Sequence, residues 1–240
     1  MKIKLSGFNN LTKILSFNLY DFCVAMNEKE KEQYAQYINN QYSSERIAKI
    51  STEICNIIDA NILSVSKQDY TPVGASTLVL MSDVSMHLDK SHITAHTYPD
   101  VLDPHGICTF RVDIDIATCG QIIPLKAINY LFESFECDVV VIDYVVRGYT
   151  RLCDGKKIYN DHSFDSIQNF ISPEILKKYL YRSDINMPHD NIWQTKLLAW
   201  GPFDIQNYFL NPLEQYDKDE VEHKMALLRE EMREVYHLIH

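Results

Sequence analysis

The sequence predicts an α+β fold: a two-layer sandwich in which a mostly antiparallel sheet carries helices on one face and a helical extension follows at the C-terminus. Helical periodicity covers residues 28–60 and Lys218–His237. Apolar and polar residues alternate through Gly106–Thr118, and helices and other β-rich runs follow one another unevenly. We expect the 240 residues to form a single domain.

Each element has its own signal. The Ser43-Ser44 pair offers a cap that divides residues 28–60 into two helices. In the strand Gly106–Thr118 the even-numbered positions from Cys108 to Ile116 are apolar, so one face is buried and the other is wet. The remaining predicted elements are the strands Ile62–Val65, Ser76–Met81, Ser91–Pro99 and Asp138–Val146, a helix opened by Pro124, and a hairpin turn at Asp154-Gly155.

The charge balance limits the class of partner. The chain has 23 Lys and Arg against 33 Asp and Glu, which gives a formal net charge of −10. Binding to nucleic-acid phosphates or to an anionic membrane favours a basic face, so we expect neither partner. A cationic ligand fits this charge.

The N-terminus and the cysteines indicate a cytoplasmic protein. The first residues lack the long apolar core of a signal peptide, and Asp143 interrupts the longest apolar run, Val139–Val146. The six cysteines form no CxxC pair, which predicts reduced thiols. We expect a plain buried role for five of them: Cys23, Cys55, Cys108, Cys137 and Cys153.

Four histidines, at positions 87, 92, 96 and 105, lie close together in the sequence. His92 and His96 have the i, i+4 spacing of helical metal ligands, but their surroundings are β-branched and the glutamate of an HExxH motif is missing. A structural or hydrogen-bonded histidine is therefore favoured over a zinc site. A metal protein stays a competing hypothesis that elemental analysis tests.

The most distinctive segments of the chain are HLDKSHITAHTYPD (His87–Asp100) and FRVDIDIATCG (Phe110–Gly120). They resemble the bacterial S-adenosylmethionine decarboxylase proenzyme family, in its longer enterobacterial-type branch. The other segments that resemble it, in order, are GFNNLTKILSFNLYD (Gly7–Asp21), ANILSVSKQDYTPVGAS (Ala60–Ser76), VRGYTR (Val146–Arg151), DSIQNF (Asp165–Phe170) and EEMREVY (Glu230–Tyr236). The resemblance covers nearly the whole chain.

The resemblance implies that the chain cleaves itself at the Lys90–Ser91 bond. The products would be a β chain of residues 1–90 and an α chain of residues 91–240, in which Ser91 has become a pyruvoyl group. That group forms a Schiff base with the substrate. The family places the base for processing at His96 and an assisting serine at Ser76. Five residues of straight strand span ~16 Å, so either the chain bends or the histidine that serves Ser91 comes from elsewhere in an assembled site.

The resemblance also implies the remaining site residues and partners. Cys119 corresponds to the proton donor, and Phe8 is a candidate for stacking on S-adenosylmethionine, with a core role as its alternative. Cys119 also leaves the even-numbered apolar row of its strand. A homo-oligomer, either a dimer or a dimer of dimers, and Mg²⁺ as an activator are expected on the same basis.

Three functions compete with decarboxylation of S-adenosylmethionine. One keeps the pyruvoyl chemistry and changes the substrate, to ornithine or arginine for example. Another is an uncleaved homologue with a regulatory or structural role. Ser76, Ser91, His96 and Cys119 are all present, which disfavours such an inactive copy. The third is the histidine-cluster metal protein.

Overall fold

The computed structural model describes residues 10–83, 91–120, 122–159, 164–200 and 204–238. Its main feature is an eight-stranded sheet with all neighbours antiparallel and the order β2-β3-β4-β5-β1-β6-β10-β9. The strands of this sheet are β1 (Thr12–Val24), β2 (Ala60–Asp69), β3 (Ala75–Asp83), β4 (Ser91–Asp100), β5 (Ile107–Cys119), β6 (Val139–Arg147), β9 (Tyr181–Met187) and β10 (Ile192–Leu198). A separate hairpin consists of β7 (Thr150–Arg151) and β8 (Lys157–Ile158).

The helices in residues 28–57, 128–134 and 218–238 follow the predicted segments, and a short helix over residues 173–176 was not predicted. They are α1 (Glu28–Gln41), α2 (Ser44–Ile57), α3 (Ile128–Ser134), α4 (Pro173–Leu176) and α5 (Lys218–Leu238). Helix α1 begins with a reciprocal cap, in which the Asn27 side chain accepts the Glu30 N–H and the Glu30 carboxylate accepts the Met26 N–H. A short 3₁₀ turn, Pro124–Ala127, leads into α3.

One face of the sheet packs against α1 to α4. The largest apolar cluster joins Tyr34 and Ile38 of α1 and Ile50 and Ile54 of α2 to the sheet. The sheet contributes alternating residues, which include Leu15, Phe17, Leu19, Val79, Ile93, Val112, Ile114 and Ile142. Strand periodicity therefore determines which side chains these helices cover.

Helix α5 packs on the opposite face. A second cluster joins Met225, Leu228 and Met232 of α5 to sheet residues next to those of the first cluster. These sheet residues are Phe22, Val24, Ile107, Val139 and Leu198. Neighbouring strand residues point to opposite faces, so α5 covers one end of the sheet from the second side. We call the remainder of this side, which no described helix covers, the open face.

The predicted fold class is confirmed: the molecule is α+β, with a large antiparallel sheet and a C-terminal helix. Two local expectations need correction. Ser43 is the N-cap residue of α2, but its side chain makes no capping hydrogen bond; instead Ser44 binds the Asp69 carboxylate through its N–H and its hydroxyl, each at 2.7 Å. Cys153 is exposed, because it lies in the turn of the β7–β8 hairpin. Cys137 is only partly buried, so neither cysteine is fully buried as expected.

Within the described parts of the chain, no helix is both long enough and apolar enough to cross a membrane.

Candidate active site

Ser91 and Cys119 lie next to each other at one end of the sheet. Ser91 is the first residue of β4 and Cys119 is the last residue of the neighbouring strand β5. The backbone N–H of Cys119 donates to the Ser91 hydroxyl oxygen over 3.1 Å. The Ser91 side chain is 3% exposed, whereas Cys119 is partly exposed. The fold therefore places the buried Ser91 hydroxyl in contact with the end of the strand that carries the Cys119 thiol.

The direction of the Cys119 side chain follows from strand parity. Even-numbered β5 residues such as Val112 and Ile116 belong to the helix-covered cluster. Cys119 is odd-numbered and lies within the strand, so its side chain belongs to the open face. This agrees with the prediction that Cys119 leaves the buried row.

Ser76 and His96 form a second group on the open face. The register pairs Ser76 of β3 with His96 of β4, and His96 in turn with Asp113 of β5. Directly paired side chains share a face about 5 Å apart, so a serine, a histidine and a carboxylate lie side by side. The Tyr70 hydroxyl is 2.9 Å from the Ser76 hydroxyl, and Arg111 holds the Asp113 carboxylate with two hydrogen bonds.

The two groups are apart within one chain. Strand β4 runs without interruption from Ser91 to Asp100, and its pairing with β5 has no register shift. Five residues of strand separate Ser91 from His96 by ~16 Å, and their opposite parity places them on opposite faces. Of the two arrangements that the sequence left open, the structure excludes a bend in β4.

His92 is a residue that the sequence reasoning did not place at the site. It follows Ser91 directly, is partly exposed, and pairs with Ala117 of β5. Cys119 lies two residues beyond Ala117 on the same face, so His92 is its diagonal neighbour. Counting parity along the two predicted strands could have found this relation once their register was known.

Two predicted site residues, Lys90 and Phe8, lie outside the described residues. His87 of the histidine cluster also lies outside them, while His96 and His105 are exposed. Nowhere in the described segments do three or more His, Cys, Asp or Glu side chains come together in a way that could hold a metal ion.

A cavity of about 1240 Å³ lies at the other end of the sheet, away from Ser91. Its lining includes two carboxylates, Asp21 near the end of β1 and Asp138 just before β6. Asp138 accepts hydrogen bonds from the Tyr208 hydroxyl at 2.8 Å and from the Phe22 N–H at 3.1 Å. Burial raises the pKa of Asp138 to about 6, and burial together with the neighbouring Asp138 raises the pKa of Asp21 well above its usual range.

These features define a class of protein: an α+β chain in which helices pack on one antiparallel sheet. A buried serine begins one strand of this sheet, and a cysteine ends the neighbouring strand beside it. The family model for S-adenosylmethionine decarboxylase matches residues 36–148. A protein named S-adenosylmethionine decarboxylase proenzyme from Hahella chejuensis is 44% identical, over 98% of this chain and 97% of that protein. The chain belongs to the S-adenosylmethionine decarboxylase family.

Other relatives carry the same name. The protein from Stenotrophomonas maltophilia strain R551-3 is 45% identical and that from Clostridium beijerinckii is 44% identical; each comparison covers 98% of this chain and 96% of the relative. The chain was also compared with the crystal structure of the adenosylmethionine decarboxylase from Aquifex aeolicus. The two sequences are 18% identical, and the structures superpose with a TM-score of 0.35 over 65% of this chain and 98% of that one.

Proposed function

We propose that this chain is a pyruvoyl-dependent decarboxylase that converts S-adenosylmethionine to the aminopropyl donor for spermidine synthesis. The observation that carries the proposal is the hydrogen bond from the Cys119 N–H to the Ser91 hydroxyl. It joins the residue that would become the pyruvoyl group to the residue that would donate the proton. Membership of the family, whose relatives are named for this activity, supports the choice of substrate. No observation favours ornithine or arginine.

The first proposed step is cleavage of the Lys90–Ser91 bond by the chain itself. The Ser91 hydroxyl oxygen attacks the Lys90 carbonyl carbon, and the Ser91 nitrogen leaves, so the amide becomes an ester. A base then removes the Ser91 α-proton, and the Lys90 carboxylate leaves. The enamine rearranges to an imine, and water releases its nitrogen as ammonia. Residues 1–90 end with a carboxylate, and residues 91–240 begin with a pyruvoyl group.

The surroundings of Ser91 suit this group. The serine oxygen is shielded from water and accepts a backbone N–H, which fits a small polar group held in a fixed place. When formed, the pyruvoyl group supplies a ketone that captures the substrate amine and a sink for the electrons released with CO₂.

Cys119 would hold the proton that completes the reaction. A proton donor keeps its proton until the acceptor carbon needs it, and it must lie within reach of that carbon. Cys119 is partly exposed at the strand end beside Ser91. The other strand thiols, Cys23 and Cys108, are buried, and burial raises the pKa of each.

Ser76 and His96 are proposed to act on Ser91 across a homo-oligomer, either a dimer or a dimer of dimers. Within one chain β4 holds His96 away from Ser91, while the open face leaves Ser76 and His96 accessible. A second copy that packs its open face against the first would bring its Ser76 and His96 to the strand ends that carry Ser91 and Cys119. His96 would then remove the Ser91 α-proton, and Ser76 would assist ring formation by hydrogen bonding.

Three further parts of the proposal rest on the resemblance and the composition. Phe8 would stack on the adenine or the sulfonium of the substrate. Mg²⁺ would act as an activator, which a comparison of rates in Mg²⁺ and in EDTA tests. The location would be cytoplasmic, in keeping with six cysteines that form no CxxC pair.

The direct test is CO₂ release from carboxyl-labelled S-adenosylmethionine, with labelled ornithine and arginine in parallel. We expect release from S-adenosylmethionine alone, and none from Ser91→Ala protein, which lacks the attacking oxygen. Full activity of the Ser91→Ala variant would show that the mechanism is wrong. Release from ornithine or arginine instead would show that the substrate is wrong.

A further inference from the structure

A lysine is completely buried near the candidate site. Lys13 of β1 is 0% exposed, and its Nζ donates to the backbone carbonyl oxygen of Ile122 over 2.9 Å. Burying an ammonium is costly unless hydrogen bonds replace its water, so such a residue is rare in a protein core. Lys13 also lies outside the roles assigned above to Ser76, Ser91, His96 and Cys119.

The register aligns Lys13 with the candidate site. Lys13 pairs with Thr118 of β5, and β5 pairs His92 of β4 with Ala117. One further step along the same register places Ser91 beside Thr118. The side chains of Lys13, Thr118 and Ser91 belong to the helix-covered face of the sheet, and each residue is at most 3% exposed. Strand spacing then puts Lys13 two strands, or ~10 Å, from Ser91.

The carbonyl that Lys13 binds belongs to the turn that follows Cys119. Gly120 has a φ of +70°, a backbone conformation that side chains rarely adopt, and its N–H donates to the Leu11 carbonyl oxygen over 3.3 Å. The Thr118 hydroxyl is 3.4 Å from the same Ile122 oxygen. Two hydrogen bonds therefore attach the chain just after β5 to the beginning of β1. Gly120 binds the Leu11 carbonyl oxygen just before β1, and Lys13 of β1 binds the Ile122 carbonyl oxygen.

We propose that Lys13 is a positioning residue for Cys119. Its ammonium fixes the chain just after β5, and this holds the end of β5, with the Cys119 N–H, at Ser91. A charged donor makes a stronger hydrogen bond than a neutral one, and its stem fills the core beneath the turn. The expected effect on kcat rests on the proposed function. The expected effect on the reactivity of the Cys119 thiol does not.

The test compares two buried lysines. Lys13→Met keeps the length of the side chain and removes the ammonium. The control is Lys196→Met, because Lys196 of β10 is 2% exposed and belongs to the other side of the sheet. In each purified protein the rate of Cys119 alkylation by iodoacetamide is followed by peptide mass spectrometry, and kcat and KM are measured with S-adenosylmethionine.

We expect Lys13→Met to raise the rate of Cys119 alkylation about tenfold, the change that corresponds to the loss of one charge-assisted hydrogen bond. We expect kcat to fall about tenfold and KM to change less than twofold, because the turn positions a proton donor and does not bind substrate. Lys196→Met should match the wild type in both measurements.

A Lys13→Met protein whose Cys119 reacts at the rate of the wild type overturns the assignment, as does an equal change in the Lys196→Met protein. If Lys13→Met does not fold, Lys13→Gln keeps a neutral donor and removes the charge, and a wild-type alkylation rate in that variant overturns the assignment instead. Wild-type protein that releases no CO₂ would refute the proposed function, while the alkylation rates would still decide the role of Lys13.

Discussion

Cys108 and Cys119 show how one strand gives two thiols different environments. Both lie on β5, but Cys108 is buried in the helix-covered cluster and Cys119 is partly exposed at the strand end. Burial raises the pKa of Cys108 to about 11, which makes it a poor reactant. Parity along the strand separates the two, so the sequence alone could distinguish Cys119 from Cys108.

Cys119→Ala and Cys108→Ala form a matched pair of variants on β5. We expect Cys119→Ala to lower kcat by a factor on the order of 10² or more, because a general acid contributes that much, while self-cleavage continues. Cys108→Ala should keep its activity and lose only stability, by about 1 kcal/mol, because it removes one buried sulfur atom. Steady-state kinetics and thermal unfolding measure both. Equal activity in the two variants would contradict the role of Cys119.

At the scale of elements, the carboxylates of Asp21 and Asp138 join the end of β1 to the start of β6. The pKa values of both are raised, chiefly by burial, and a hydrogen bond joins the two side chains. The Tyr208 hydroxyl, in a 3₁₀ turn that packs with α5, donates a hydrogen bond to the Asp138 carboxylate. Protonation of the pair is therefore linked to the stability of the fold.

The raised pKa values fix the sign of a pH effect. A carboxyl whose pKa is higher in the folded state than in the unfolded state favours folding in its protonated form. That stability is complete below about pH 4, where the unfolded chain also protonates, and the Asp138 part is lost as pH rises through about 6. The raised pKa of Asp21 acts in the same direction. The pair should thus make the protein less stable at pH 8 than at pH 5.

Asp21→Asn replaces one carboxyl of the pair with a neutral amide. We expect its free energy of unfolding at pH 8 to exceed that of the wild type by on the order of 2 kcal/mol, and the difference to shrink toward pH 5. Asp59→Asn is the control, because the Asp59 side chain is 78% exposed in its ion pair with Lys126. Urea unfolding at pH 5 and pH 8 makes the comparison. A larger gain in the free energy of unfolding at pH 5 than at pH 8 would refute the expected direction of the pH effect.

At the scale of the whole molecule, local patterns in the sequence predicted local structure well. Alternation in residues 106–118 gave a strand with the correct buried face, and the periodicity of residues 218–237 gave α5. Sequence periodicity could not assign α5 to the second face of the sheet, because an amphipathic stripe does not say which surface it covers. Pairing between distant strands, as in Ser76 with His96, was equally hidden.

The separation of His96 from Ser91 leads to a test of assembly. We expect His96→Asn chains to remain uncleaved when expressed alone, because the base is missing. Expressed together with Ser91→Ala chains, which keep His96, the His96→Asn chains should be cleaved, because the partner supplies the histidine. Intact mass spectrometry distinguishes the products of the two chains.

Three results would contradict this arrangement. His96→Asn chains that stay intact in the mixture would show that the histidine acts within its own chain. His96→Asn chains that cleave normally alone would show that another residue is the base, and His92→Asn then tests the neighbour of Ser91. Ser91→Ala chains that cleave in the mixture would refute the role of Ser91 itself.

The most direct test of the central claim is the intact mass of the purified wild-type protein, together with its rate of CO₂ release. The account predicts two polypeptides, residues 1–90 and residues 91–240, the second blocked at its N-terminus and lighter than its encoded sequence because an amine has become a ketone. A single uncleaved chain of 28.0 kDa that decarboxylates S-adenosylmethionine at full rate would contradict it.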